Sequence, residues 1–152
     1  MTHAKGAATK NATREVFVRV RIYHNVARDP KGRRIHFCGY EPGHPLVLVL
    51  EAAIDLVRLG EVFLPEAIFV ACNAEVHELG GSLRDLARAY RDRRLRSLSV
   101  GDVLVIGDDE DRKAMQVIGN GFSFVPAESL NTVHHPESGT QPWPADTPPI
   151  QV

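Results

Sequence analysis

Cysteine is scarce. Cys38 and Cys72 are the two in 152 residues, and they form no CxxC. A disulfide framework is therefore not what holds this chain together, since its length supports a core of its own. The two read as thiols in a reducing, cytoplasmic setting, with a single bridge as the alternative. Net charge is nearly absent as well, at −1, which argues against an overall affinity for nucleic acid or a membrane surface. Long apolar runs are missing. The longest, Leu46 to Leu59, is broken by Glu51, Asp55 and Arg58, so no segment spans a bilayer and no membrane partner is expected. Met1 to Lys10 lacks the apolar core of a signal peptide. No strong catalytic motif is present: no Walker loop, nucleophile elbow, HExxH or Gly-x-Gly-x-x-Gly.

What is there is globular, at 43% hydrophobic and 24% charged residues, enough for one domain. The near-neutrality comes from alternating blocks. Residues 1–34 hold nine Lys/Arg against Glu15 and Asp29, and residues 35–81 hold Arg58 against seven acids. Residues 82–96 hold six arginines against Asp85 and Asp92, and residues 97–152 hold two bases against eight acids.

Residues 1–13 read as a disordered leader. Glu15 to His24 alternates Val18, Val20, Ile22 and His24 against Phe17, Arg19, Arg21 and Tyr23, which predicts a strand with one apolar face. Asp29-Pro-Lys-Gly32 is a turn, and 34–38 would be its return strand. The run from Leu46 to about 57 reads as a buried strand, with a helix from Leu48 as the alternative. Pro65 suits the first turn of a helix through Ile68, Phe69 and Cys72. Ser82 is the expected N-cap of a second helix, Leu83 to Leu95, with Leu83, Leu86, Ala87 and Tyr90 as its buried stripe. Strands over 102–107 and 113–119 flank a polar loop, and Gly119-Asn-Gly-Phe-Ser-Phe-Val125 closes the module. Five of the ten prolines fall after Asn131, so 131–152 reads as a disordered tail. The expectation is one α+β domain over 14–130: a small mixed or antiparallel sheet of about five strands, with two helices packed on one face.

The order of strand, helix, Ser97-Leu-Ser-Val-Gly-Asp-Val-Leu-Val-Ile106, hairpin and Gly121-Phe122 resembles the YodL-like domain of plasmid, phage and integrative-element proteins. Tyr23 to Ala27 and Gly39-Tyr40-x-x-Gly43-His44-Pro45 are similar to actinobacterial proteins with the same ending. The resemblance implies a mobile-element context and carries over no catalytic residue. The Leu98-to-Val103 entry also resembles that of PUA- and ASCH-like barrels, which would imply nucleic-acid binding.

Arginine is the sharpest surface feature. Arg84, Arg88 and Arg91 share a helix face by spacing, and Arg94 lies at its end. Arg19, Arg21, Arg33 and Arg34 on the preceding hairpin would extend them into a phosphate-binding patch for DNA or RNA. The plain alternative is a solvated face neutralised by the acids of 35–81. Trp143, between Pro142 and Pro144, is a candidate docking peptide for a protein partner, against a plain spacer. His24, His36, His44 and His77 lack metal-ligand spacing, so neither metal nor cofactor is expected. Cys38 beside His36 or His44 has no third orienting group. Asp102 reads as a turn-closing carboxylate taking N–H groups around Ser97 and Ser99, and Asp108 to Asp111 as a solvated loop. The leading expectation is a non-enzymatic accessory module acting by protein–protein contact. A nucleic-acid-binding domain comes second. A small metal-dependent hydrolase or nuclease using His24, His44 and an acid comes third.

Overall fold

The computed structural model describes residues 16–35 and 38–152. The expected leader lies outside them, as do residues 36 and 37 of the expected 34–38 strand; its described residues form no strand, and Arg34 makes only an isolated bridge to Arg28. The fold is α+β, with a curled mixed sheet. Its strands are β1 (Phe17–Asn25), β2 (Pro45–Asp55), β3 (Val103–Ile106), β4 (Lys113–Ile118), β5 (Gly121–Val125), β6 (Asn131–Thr132) and β7 (Ile150–Gln151). Their order is β5-β4-β3-β1-β2-β6, and β7 also pairs with β2.

Three helices, rather than the expected two, lie among the described residues: α1 (Leu56–Leu59), α2 (Leu64–Asn73) and α3 (Gly81–Asp92). The run from Leu46 is a strand until Asp55 ends it. The Asp55 carboxylate accepts from the N–H groups of Val57 and Arg58, which caps α1. Pro65 sits in the first turn of α2, as its missing N–H allows. α3 buries Leu86, Ala87 and Tyr90 of the predicted stripe, and Leu83 is half-buried. Its N-cap is Gly80, not Ser82. Ser82 lies inside the helix, and its buried hydroxyl finds no partner among the described residues. The helix stops before Leu95 because Arg94 turns to a φ of 56°.

The alternation along β1 divides the interior. Val20 and Ile22 join Ile68, Ala71, Leu86, Ala87 and Tyr90 in the larger cluster. Tyr23 faces the other way, into a second cluster with Tyr40, Leu46, Val103 and Val105. Opposite the step from Ile22 to Tyr23, Val49 of β2 is an extra residue. Such a bulge frees a ladder carbonyl, and the Val49 carbonyl accepts from Arg93 Nε at 2.7 Å.

The expectation of a disordered 131–152 is corrected. β6 and β7 run parallel to β2 along its outer edge. Between them, Val133 N–H donates to Leu46 and Trp143 N–H to Leu48. Val152 is buried and exchanges backbone bonds with Ala53 and Asp55. The prolines fit because an edge strand needs only some of its N–H groups.

Candidate binding surfaces

The two basic segments do not converge. Arg19 and Arg21 alternate with Val20 and Ile22, so they leave the sheet on the face away from the packed side of α3. There they meet carboxylates. Arg19 pairs with Glu51 at 2.7 Å and Arg21 with Asp109 at 2.9 Å. Arg33 pairs with Asp29 at 3.0 Å. Arg34 and Arg28 share Glu137, at 2.8 and 3.0 Å. Partial burial alone would raise Glu137, but hydrogen bonds from the two guanidinium groups hold it below the usual glutamate range. The hairpin half of the predicted phosphate patch is thus neutralised from within. Of its partners only Glu51 comes from 35–81; the polar loop after β3 and the tail supply Asp109 and Glu137.

The helix half differs. Arg84, Arg88, Arg91 and Arg94 are exposed, and among the described residues none pairs with a carboxylate. Arg84 Nε donates to the Leu79 carbonyl at 2.8 Å, and Arg91 donates to the Ala74 carbonyl. Both steady the connection from α2 to α3.

Trp143 is built into the fold. It packs against the larger cluster, its Nε1–H donates to the Thr147 carbonyl at 3.2 Å, and Arg93 stacks 4.9 Å from its ring centre. A side chain so engaged is a poor free docking anchor, and this revises its expected role.

Of the four candidate histidines, His24 and His44 are held by hydrogen bonds within the fold and His77 is exposed. His24 is fully buried. Its Nε2 lies 2.7 Å from the Tyr90 hydroxyl and its Nδ1 2.8 Å from Thr140 Oγ1. Tyr90 donates to the Arg96 carbonyl, so Tyr90 accepts from Nε2–H and Thr140 donates to Nδ1. Loss of water pushes His24 down to about 3, with Asp102 opposing the shift and Arg96 reinforcing it. His44 Nδ1 is bound by Asn25 and the Glu41 N–H. His36 lies outside the described residues. Among those described, no three His, Cys, Asp or Glu side chains are grouped to hold a metal. Cys38 is exposed, whereas Cys72 is buried, and burial pushes its thiol well up.

Asp102 accepts from Ser99 N–H, as its place in the turn predicts, and also from Asn25 N–H. Its main partner is Arg96, bound through both oxygens at 2.7 and 2.8 Å. Sequence reasoning missed this fork. Six residues separate the two, and the chain between them must turn back for the pair to form.

The surface that sequence reasoning missed is apolar. Phe63, Phe69 and Phe122 line an open cleft of about 450 Å³ between the start of α2 and the β4–β5 turn, with Glu66 on its rim. Phe122 meets Phe63 and Phe69 edge-on, at 6.2 and 6.3 Å. Phe63 is 62% exposed and Phe124, on the same face as Phe122, 71%. The available signal was the pair Phe122 and Phe124, which alternate as in a strand. No helix among the described residues is long and apolar enough to cross a membrane. No family model, curated protein or solved structure matches the chain.

Proposed function

We propose that this chain is a non-enzymatic accessory module of a mobile genetic element, acting by protein–protein contact through the Phe63–Phe69–Phe122 cleft. The observation that carries the reading is that open cleft itself, lined by the exposed Phe63 and the half-buried Phe69 and Phe122. Contiguous apolar surface is costly to leave in water, and aromatic side chains anchor protein interfaces. The mobile-element context rests on the resemblance of Ser97 to Ile106 and Gly121-Phe122 to the YodL-like domain. The test compares two variants in affinity capture from the host. A partner held by the wild type and by Arg88→Ala, but lost by Phe63→Ser, supports the reading. A partner kept by Phe63→Ser and lost by Arg88→Ala overturns it.

A second reading, nucleic-acid binding through α3, draws on the four exposed arginines that have no carboxylate partner among the described residues. It predicts a filter-binding signal at low salt that falls steeply as salt rises and weakens in the Arg88→Ala, Arg91→Ala double variant. A signal unchanged by that double variant contradicts it.

A further inference from the structure

The two edges of the sheet are treated differently. The β2 edge is covered by the tail. β5, at the other end of the order, has no backbone partner on its outer side among the described residues. It carries none of the usual protections of an edge: Gly121-Phe-Ser-Phe-Val125 has no charge, no proline and no break in its register with β4.

Its outward groups follow from the ladder. Val117 N–H donates to Asp102 and the Val117 carbonyl accepts from Gly101, so Val117 bonds toward β3. Gln116 and Ile118 therefore bond toward β5, to their partners Ser123 and Gly121. That leaves the N–H and C=O groups of Phe122 and Phe124 on the open side.

We propose that this edge binds a second copy of the chain, antiparallel, with a two-fold axis at Ser123. The segment reads nearly the same in both directions about that residue, as an isologous contact requires. In this register Phe122 faces Phe124 of the second copy, and each such pair exchanges both N–H···O=C bonds. The Phe122 and Phe124 rings lie on one face, so aromatic meets aromatic across the junction. The edge is uncharged and the chain carries only −1, so two copies meet without strong repulsion. The patch is small, which sets roughly micromolar affinity. The proposal rests on the backbone edge, not on the cleft reading.

Sedimentation velocity of the full chain, from micromolar to submillimolar concentration, reads the dimer. The wild type is expected to shift toward twice the monomer mass. Phe124→Lys, at an exposed site, is expected to stay monomeric with unchanged circular dichroism. Phe63→Ser is expected to dimerise like the wild type. Register is tested in a Cys38→Ser background. Ser123 would face its own copy at a non-hydrogen-bonded position, where the backbones approach closely enough for a disulfide. Ser123→Cys should then cross-link at least about tenfold faster than Phe124→Cys. A wild type monomeric throughout overturns the proposal, as does a dimer indifferent to Phe124→Lys. Loss of the dimer in Phe63→Ser, or equal cross-linking at 123 and 124, overturns it too.

Discussion

Arg21 and Arg88 belong to the two basic blocks of one chain and end in opposite states. Arg21 leaves the sheet beside Asp109 and Glu51, with its side chain 12% exposed. Arg88 stands on the outer face of α3, with no carboxylate against it among the described residues. The blocks look alike in sequence because both are runs of arginine. What separates them is the register of the sheet, which brings Glu51 and Asp109 to Arg19 and Arg21, whereas Arg84, Arg88, Arg91 and Arg94 have no carboxylate against them among the described residues. A neutral total hides arginines that are paired with carboxylates, such as Arg21, and others, such as Arg88, that have no such partner among the described residues.

That contrast can be broken at graded positions. If pairing rather than charge decides what an arginine contributes, the deepest pair should matter most. Asp102→Ala leaves Arg96 part-buried without its fork and strips acceptors from the N–H groups of Asn25 and Ser99. It should cost about 3–5 kcal/mol in urea denaturation. A loss below about 1 kcal/mol would place that pair with ordinary surface bridges.

Acid tests the neighbouring buried polar group. His24 titrates near 3 in the fold against an ordinary 6.5. Between those values the unfolded chain takes up a proton that the folded chain does not. Stability should therefore fall as pH drops from about 6.5 toward 3, by up to about 1.4 kcal/mol per pH unit. His24→Gln should be less stable at pH 7 but show a shallower slope over that window. An unchanged slope would mean that His24 is not held neutral.

Smaller effects sharpen the two ends of the contrast. Glu137→Gln removes the shared partner of Arg28 and Arg34 at a half-buried site and should cost about 1–2 kcal/mol. Arg88→Ala should change stability by less than about 0.5 kcal/mol. A larger loss would show that Arg88 has a partner in the fold.

Local pattern carried much of this fold. The alternation of β1, the stripe of α3 and the strands around the polar loop follow from residues close in sequence. What stayed hidden depends on distant partners. Residues 131–152 have no periodicity because they dock at separated points on β2, Val133 on Leu46, Trp143 on Leu48 and Val152 on Ala53 and Asp55. The Pro-rich composition that suggests disorder equally suits a sheet edge. Gly80 caps α3 without a side chain, so Ser82 drew the prediction. Of the surfaces, the arginines were legible as charge but not as paired or unpaired. The cleft could not be read because Phe63, Phe69 and Phe122 meet only once β5 has folded back beside α2.

We propose that the working surface is the aromatic cleft rather than the arginine face. A photo-crosslinking residue placed at position 63, and separately at position 88, tests it in the host. The account predicts a discrete protein adduct from position 63 and none from position 88. A nucleic-acid adduct from position 88, with nothing captured from position 63, would contradict it.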